Sequence, residues 1–426
     1  MAGVVDLRRR TRLGLLHALS PRAAATSVTP MAKFGIQQLR NANQRLLLRE
    51  LYQNGPLSRA ELARRTRLSR PSVSSIMRDL LDEGLVAEQG MGVSSGGKPP
   101  ILVAFLDDAR QIAAVDLSCN RLDGALTDLR GRFQARVSHP LDRRDGDAVL
   151  ASLFAGLDQL LEQRRRPLLG IGISTPGLVD TGTGMVHYAA NLRWRKLPLA
   201  NLVQERYGVR TWVANDANMA AVGELGFGKG SSGDSLVLLQ AGLGVGAGLV
   251  INGELYLGAG AAAGEIGFMG LPTCDEELGT RNGAANGWPG IVDLETLAGS
   301  QALLAQARRL AQEQGIQLPV NEQGVASLSA ALALEAIRAP LAQHIAPYLG
   351  LVVAQIVNLL HPDWIILGGN LRRLDPPLLE LVQEVVNQMT PAWLQEETAI
   401  VLSAGGDEIT LKGAIALILS AALGVM

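Results

Sequence analysis

The chain has 426 residues, enough for two or three domains with sizeable cores. Glycine is abundant at 48 residues and aromatics make up only 4%, which suits an α/β protein with many tight turns better than a β-sandwich. The formal net charge of −1 hides an asymmetry: residues 1–100 hold 16 Lys and Arg against 7 Asp and Glu, while the rest holds 23 against 33. A basic N-terminal segment on an acidic body points to a nucleic-acid partner for the first part only, with a solvated basic tail as the alternative. No apolar run reaches the length of a membrane span, and Ala414–Met426 is too short, so no membrane partner is expected. Cys119 and Cys274 make no disulfide framework, in keeping with a reducing cytoplasm.

Residues 1–35, with the basic stretch LRRRTRLGLLHALSPRAAA, read as a disordered tail or an upstream mis-assigned start. A signal peptide fits them only loosely, because no domain that needs export follows. From Asn43 the periodicity turns helical, with Leu47, Leu51 and Tyr52 on one face and Asn54-Gly55-Pro56 as the stop. Ser58 is placed to cap a second helix, and Glu61 three residues on completes a capping box. Thr66-Arg67-Leu68 reads as a turn. Ser69 then caps a third helix with Pro71 in its first turn, where a missing N–H is harmless. Val73, Ile76, Met77, Leu80 and Leu81 form its apolar stripe, and Glu83-Gly84 ends it.

Two short helices joined by a tight turn, the second apolar on one side only, match a helix-turn-helix. The outer face of the third helix presents Arg70, Ser72, Ser74, Ser75 and Arg78. Small hydroxyl residues allow close approach to base edges, and arginine pairs with guanine or phosphate. Leu85–Glu88 and Lys98–Val103 then read as a two-stranded wing. Its cationic tip, Ser94–Pro99 with Lys98, is placed to lie along phosphates or enter a minor groove, with a plain interdomain linker as the alternative. The division expected is 1–35 as tail, 36–106 as winged helix-turn-helix and 107–426 as effector and oligomerisation body.

In the body, apolar strands end in polar or glycine-rich groups. Ile112–Val115 runs into Asp116, Leu169–Ile173 into Ser174–Gly177, and Thr211–Ala214 into Asn215-Asp216. Ser235–Leu239 runs into a glycine cluster at 242–248, and Trp364–Leu367 into Gly368-Gly369-Asn370. Such strand ends are where α/β folds place ligands, and five in this order mean more than any one glycine cluster.

From about Arg40 onward the chain resembles the ROK family of sugar-responsive repressors and sugar kinases, in its transcriptional-regulator branch. The resemblance rests on NQRLLLRELYQNGPLSRAELARRTRLSRPSVSSIMRDLLDEGLV with GGKP, then STPGLVD, AANLRW, ANDANMAAVGE, GLGVGAGLVINGELYLGAG, AGEIGF, DLETLAGS and ILGG. It implies an α/β fold with a winged helix-turn-helix and a two-lobed actin/hexokinase-like (ribonuclease H-like) domain. It also implies that Asp216 stands at the kinase base position and that Gly177, Asn191, Asn215, Asp216, Glu265 and Glu295 line a sugar pocket. Taken singly, Asn191 could cap a turn and Glu295 a helix.

Departures from the family pattern bear on chemistry. Where family kinases carry D-x-G-G-T, the chain has Asp116-Leu117-Ser118-Cys119-Asn120-Arg121, without glycine. Where they carry G-T-G, it has Gly242-Leu243-Gly244, and leucine offers no hydroxyl to phosphate or metal. The family's zinc-binding histidine, which also contacts sugar, is replaced by Phe268, and Cys274 has no companion thiol nearby. The five histidines, His17, His139, His187, His344 and His361, show no ligand spacing. The reading is a cytoplasmic DNA-binding repressor of carbohydrate genes, not an enzyme, without metal or cofactor. Its partners are a double-stranded operator, a sugar or sugar-derivative effector, and further copies of itself as a homodimer or homotetramer. The alternatives are an active ATP-dependent sugar kinase and a regulator answering to a protein partner.

Overall fold

A computed structural model describes residues 35–92, 99–117, 121–141, 145–231, 233–273, 290–320 and 326–426. The tail expected over 1–35, the wing tip with Lys98, the loop Ser118–Asn120 and Cys274 lie outside the described residues, Gly35 and Pro99 apart. The chain divides into two units, Met1–Ala42 and Asn43–Met426. Of the first, the described part is the opening of a helix, α1, which spans Ile36–Asn54 and so starts earlier than the periodicity from Asn43 indicates. Gln37 donates to Asn41 at 3.1 Å there, an i,i+4 pair that supports helix without an apolar stripe to announce it.

The second unit begins with a small domain. Helices α2 (Arg59–Thr66) and α3 (Arg70–Asp82) follow α1. Strands β1 (Leu57–Ser58), β2 (Val86–Met91) and β3 (Ile101–Phe105) form a sheet of order β1-β3-β2. Both helices start where a serine oxygen can take an orphan N–H. Ser58 Oγ accepts from Glu61 N at 3.1 Å, and Ser69 Oγ from Ser72 N at 3.2 Å. The capping box itself is a correction: the Glu61 carboxylate binds Arg64 at 2.7 Å and Arg65 at 2.9 Å, a charged pairing in place of the reach back toward Ser58. Leu47, Leu51, Leu62, Val73, Met77 and Leu80 are fully buried, in one core with Ile112, Ala114, Ile415 and Leu419 of the body.

The body repeats one topology twice. In the first lobe β4 (Gln111–Asp116), β5 (Arg121–Thr127) and β6 (Phe133–Pro140) make an antiparallel meander. Then β7 (Leu168–Thr175) and β11 (Thr211–Asn215) add in parallel, in the order β11-β7-β4-β5-β6. Helix α4 (Gly146–Glu162) precedes β7. Between β7 and β11 lie a side sheet of β8 (Leu178–Asp180), β9 (Met185–Ala189) and β10 (Trp194–Leu197), and helix α5 (Leu199–Tyr207). The second lobe has β12 (Leu236–Ala241), β13 (Val245–Ile251) and β14 (Glu254–Leu255) as its meander, with β17 (Trp364–Gly369) and β18 (Ala399–Leu402) parallel, in the order β14-β13-β12-β17-β18. All six residues of β4 are buried, the pattern of a strand covered on both faces.

Strands β15 (Gly270–Pro272) and β16 (Ile291–Asp293) pair ahead of α7 (Leu294–Ala298) and α8 (Ser300–Glu313). Then come α9 (Leu328–Leu332) and α10 (Glu335–Leu360). By length and composition α10 could cross a membrane, which an unbroken-run reading misses because polar residues interrupt it. Its apolar stripe, including Leu341, Ile345, Leu349 and Val353, is the core of the second lobe. Helices α11 (Asn370–Arg373), α12 (Leu378–Met389) and α13 (Ala392–Gln395) complete that lobe.

Helix α6 (Asp216–Phe227) leads from β11 into the second lobe, and α14 (Ile409–Ile418) returns from β18 to the first. The two cross closely because glycines stand at the crossing. A Cβ on Gly413 would collide with the Met219 carbonyl, and one on Gly223 with the Ile409 carbonyl.

Candidate functional site

Two faces carry chemistry. The first is the outer side of α3. Arg70, Ser74 and Arg78 are exposed, while Ser72 and Ser75 are half-buried and Ser72 Oγ shares a 2.8 Å hydrogen bond with Ser69 Oγ. Among the described residues no ion pair engages Arg70 or Arg78, so both guanidiniums face water. Arg67 adds a third: it ends α2 with φ 57°, ψ 21°, is exposed, and lies in the turn itself. Sequence reading passes over it as a turn residue. The signal available was an arginine between two caps at a helix-turn-helix junction. Arg59 is held by Glu88 at 2.9 Å, which fixes the root of β2 against α2.

The second face lies where strands end. Register places Asp116 beside Ser174, Thr175 beside Asn215, and Ala241 beside Gly369. Asn215 caps α6: its Oδ1 accepts from Ala217 N at 2.9 Å, and its Nδ2 donates to the Gly177 carbonyl at 2.9 Å. Gly177 has φ 99°, and a Cβ there would strike the Tyr188 carbonyl, so the loop after β7 closes on Asn215 only with glycine. Asp216, the next residue, also accepts from Ala217 N at 2.9 Å. Burial pushes its carboxyl up to about 6, and the charge of Glu265 adds to the rise. Glu265 is itself raised by burial and by Glu295. These effects link Asp216, Glu265 and Glu295 as one carboxylate cluster. Asn191, in the 3₁₀ turn Ala190–Leu192, is exposed.

Glu295 has a role that sequence reading misses. Its Oε2 accepts from Val245 N at 3.0 Å, pinning the glycine loop between β12 and β13. A Cβ on Gly244 would meet the same oxygen, so Glu295 fits because that residue is glycine. The loop turns on its own bonds. Gly242 N donates to the Gly244 carbonyl at 2.8 Å, while Ser300 binds the Gly242 carbonyl through N at 2.9 Å and through Oγ. Asn370 Nδ2 in turn donates to Ser300 Oγ at 2.8 Å, tying in the end of β17. Phe268, where a zinc ligand was expected to be missing, is 71% exposed one 3₁₀ turn after Glu265. Among the described residues no group of three or more His, Cys, Asp or Glu is placed to hold a metal.

Comparison with known proteins accords with this architecture. A model of winged helix-turn-helix DNA-binding domains matches residues 40–87, and the ROK family model matches residues 112–421. The chain is 30% identical over 352 residues to the xylose repressor of Bacillus spizizenii, covering 82% of this chain and 87% of that one. A solved ROK family transcriptional regulator, a homologue of the E. coli Mlc protein, superposes with TM-score 0.76 at 24% identity over 91% of this chain and 98% of its own. A ROK family glucokinase from Streptomyces griseus, solved with glucose and AMPPNP, superposes with TM-score 0.60 at 22% identity over 72% of this chain and 98% of its own. With the family model spanning most of its length, and two lobes of matching topology behind a winged helix-turn-helix, the chain belongs to the ROK family.

Proposed function

We propose that the protein is a cytoplasmic, homo-oligomeric transcriptional repressor of carbohydrate genes whose body senses a sugar or sugar derivative. Residues 36–106 read the operator, and residues 107–426 form the effector and oligomerisation body. The observation that carries this is the exposed Arg70–Ser74–Arg78 face, capped at its entry by Ser69, in one chain with Asp216 at the end of β11 and the carboxylates of Glu265 and Glu295 that bear on it in turn. Arg70 and Arg78 supply base or phosphate contacts, with Ser72, Ser74 and Ser75 between them and Lys98 on the wing. Asp216, Glu265 and Glu295 accept hydroxyl hydrogen bonds from the effector, with Gly177, Asn191 and Asn215 on the rim. The relative's name supports the class of regulator, and xylose is the first effector to try. The test is selection of duplexes from a random pool, followed by binding to the winning sequence with D-xylose or D-glucose titrated in. No preferred sequence, or a preferred sequence that no sugar affects, defeats one half of the proposal or the other.

A second reading, an active sugar kinase, is favoured by one observation: a carboxyl raised to about 6 is suited to act as a general base. The bonds within the glycine loop speak against it. Gly242 N is spent on Gly244 and Val245 N on Glu295, so those amides are turned away from a phosphate. ADP release on mixing with ATP and D-xylose or D-glucose decides between the readings.

A further inference from the structure

Helix α14 has two faces and a tail, and each does something different. One face lies on the first lobe's sheet, where a Cβ on Gly172 would sit 3.0 Å from the Ala414 Cβ. The other meets α6, which in turn lies on the second lobe: a Cβ on Gly248 of β13 would strike the Ala217 carbonyl. Thus α14 and α6 form the layer between the two lobes' sheets, and α6 begins with Asp216. Beyond Ile418, α14 widens into a π turn, Leu419–Leu423, and stops at Gly424 with φ 67°.

That tail is occupied. A helix end leaves carbonyls without partners and carries partial negative charge, so it favours guanidinium. Arg45 Nη2 donates to the Ala421 carbonyl at 2.9 Å, and Arg49 Nε to the Gly424 carbonyl at 3.0 Å. Arg45 and Arg49 stand one turn apart on one face of α1. Beneath them Leu47, Leu48 and Leu51 are buried with Leu419, Leu423 and Val425. Gly424 leaves room for this: a Cβ there would sit 2.8 Å from Arg45 Cγ and Cδ. The far end of α1 is held by the first lobe itself. Arg130, in the turn between β5 and β6, donates to the Tyr52 carbonyl at 2.7 Å, lies 3.9 Å over the Tyr52 ring, and pairs with Asp107 at 2.7 Å.

We infer that Arg45 and Arg49 are positioning residues that clamp the DNA-reading domain to the end of the interlobe helix, so that its pose reports the angle between the lobes. The inference rests on the effector reading above and adds its route. A domain hung on a slack linker would read DNA equally well with the lobes open or closed. A domain seated along α1, at Arg45 and Arg49 and again at Tyr52, is carried along when α14 is loaded by a shear against α6. The helix terminus suits the seat, because its last carbonyls lie beyond the reach of any following helical N–H and are open to side chains from another element.

The experiment uses the full-length chain with both arginines changed, Arg45→Met and Arg49→Met, which keeps the aliphatic stems and removes the forks. Three quantities are read: affinity for the selected duplex, affinity for D-xylose or D-glucose, and amide exchange across residues 43–54. The expected result is duplex and sugar affinities each within about threefold of wild type, with sugar-to-DNA coupling of about tenfold falling toward one. Exchange in 43–54 accelerates while β4 and β7 stay protected. Coupling of wild-type size together with unchanged exchange overturns the clamp. If sugar leaves DNA binding of the wild type untouched, the effector reading fails and the clamp's role as its route falls with it; faster exchange in the variant would still mark Arg45 and Arg49 as the seat. If the double variant does not fold, Arg49→Lys, which keeps the charge and loses the Nε contact, is read by the same measurements and by the same criteria.

Discussion

Replacing Asp216 by Asn removes one charge from the start of α6 and keeps the side chain's shape. In the folded protein burial pushes the Asp216 carboxyl up to about 6 from an ordinary 3.8. A carboxyl raised by folding holds its proton more tightly folded than unfolded. Between pH 3.8 and 6 the folded state therefore carries more proton, and stability falls as pH rises through that window, levelling off above it. At about 1.36 kcal/mol per pH unit, the ionised group costs the fold about 3 kcal/mol at pH 7. The amide of Asp216→Asn escapes this cost at every pH and can still accept from Ala217 N. Without ligand, the variant and wild type should be equally stable near pH 4. Above pH 6 the variant should be the more stable by up to about 3 kcal/mol. Urea unfolding at half-unit pH steps, followed by tryptophan emission and by circular dichroism, measures the gap and shows whether the lobes unfold together. A gap of the same size at pH 4 and pH 8, or of the opposite sign, refutes the reasoning. The same carboxylate should govern effector binding in the other direction. A hydroxyl donates to the ionised form, so wild-type sugar affinity should fall below pH 6, by up to about tenfold per unit, and lie low and flat in the variant.

Ser69→Ala removes the oxygen that takes Ser72 N and should cost about 1 kcal/mol of stability, read from the thermal midpoint, with weaker DNA binding on every sequence. Arg70→Ala should lose about 1–3 kcal/mol on the selected duplex and relax its sequence preference; equal loss on all duplexes assigns Arg70 to phosphate. Arg67→Ala should leave preference intact and lower the salt dependence of binding by about one ion, checked by filter binding across a salt series. Leu51→Ala, in the core shared by the small domain and the body, should cost about 2–5 kcal/mol and show in unfolding of both regions.

Local signals carried most of the fold. Ser58 and Ser69 announced their helices because a cap acts over three residues, and the apolar strands from Ile112, Leu169, Thr211, Ser235 and Trp364 are written as short runs between turn residues. Asp116 and Asn215 could be placed together because parallel strand ends share one edge of a sheet, and Gly369 stands at a strand end of the second lobe's sheet. What stayed hidden depends on partners far apart in sequence. Arg45 and Ala421 are 376 positions apart, and Arg49 and Gly424 are 375 apart. Neither contact leaves a period or a spacing to read. The capping box was misread for a related reason: Ser58 to Glu61 has the right spacing, but Arg64 and Arg65 lie one turn further on and draw the carboxylate away.

The glycine loop shows the same limit where it matters most for function. Gly242-Leu243-Gly244 can be compared with a phosphate loop residue by residue, and the loss of a threonine hydroxyl is visible at once. Whether backbone amides remain to hold a phosphate depends on where they point, and that is decided by Ser300, Glu295 and Asn370 from three other elements. Glu295 joins the two questions. It raises Glu265 in the carboxylate cluster, and its Oε2 takes the Val245 N–H beside the loop. A ligand that drew Glu295 toward its own hydroxyls would release that amide and loosen the loop, so the state of the cluster and the shape of the loop are coupled through one side chain. Glu295→Gln tests this coupling. The amide oxygen can still accept from Val245, so the loop should hold while the charge that raises Glu265 is gone, and the Glu265 carboxyl should titrate closer to its ordinary range, followed by its side-chain carbon shift in NMR. A Glu265 titration unchanged by the substitution would show that the two carboxylates do not act as a pair.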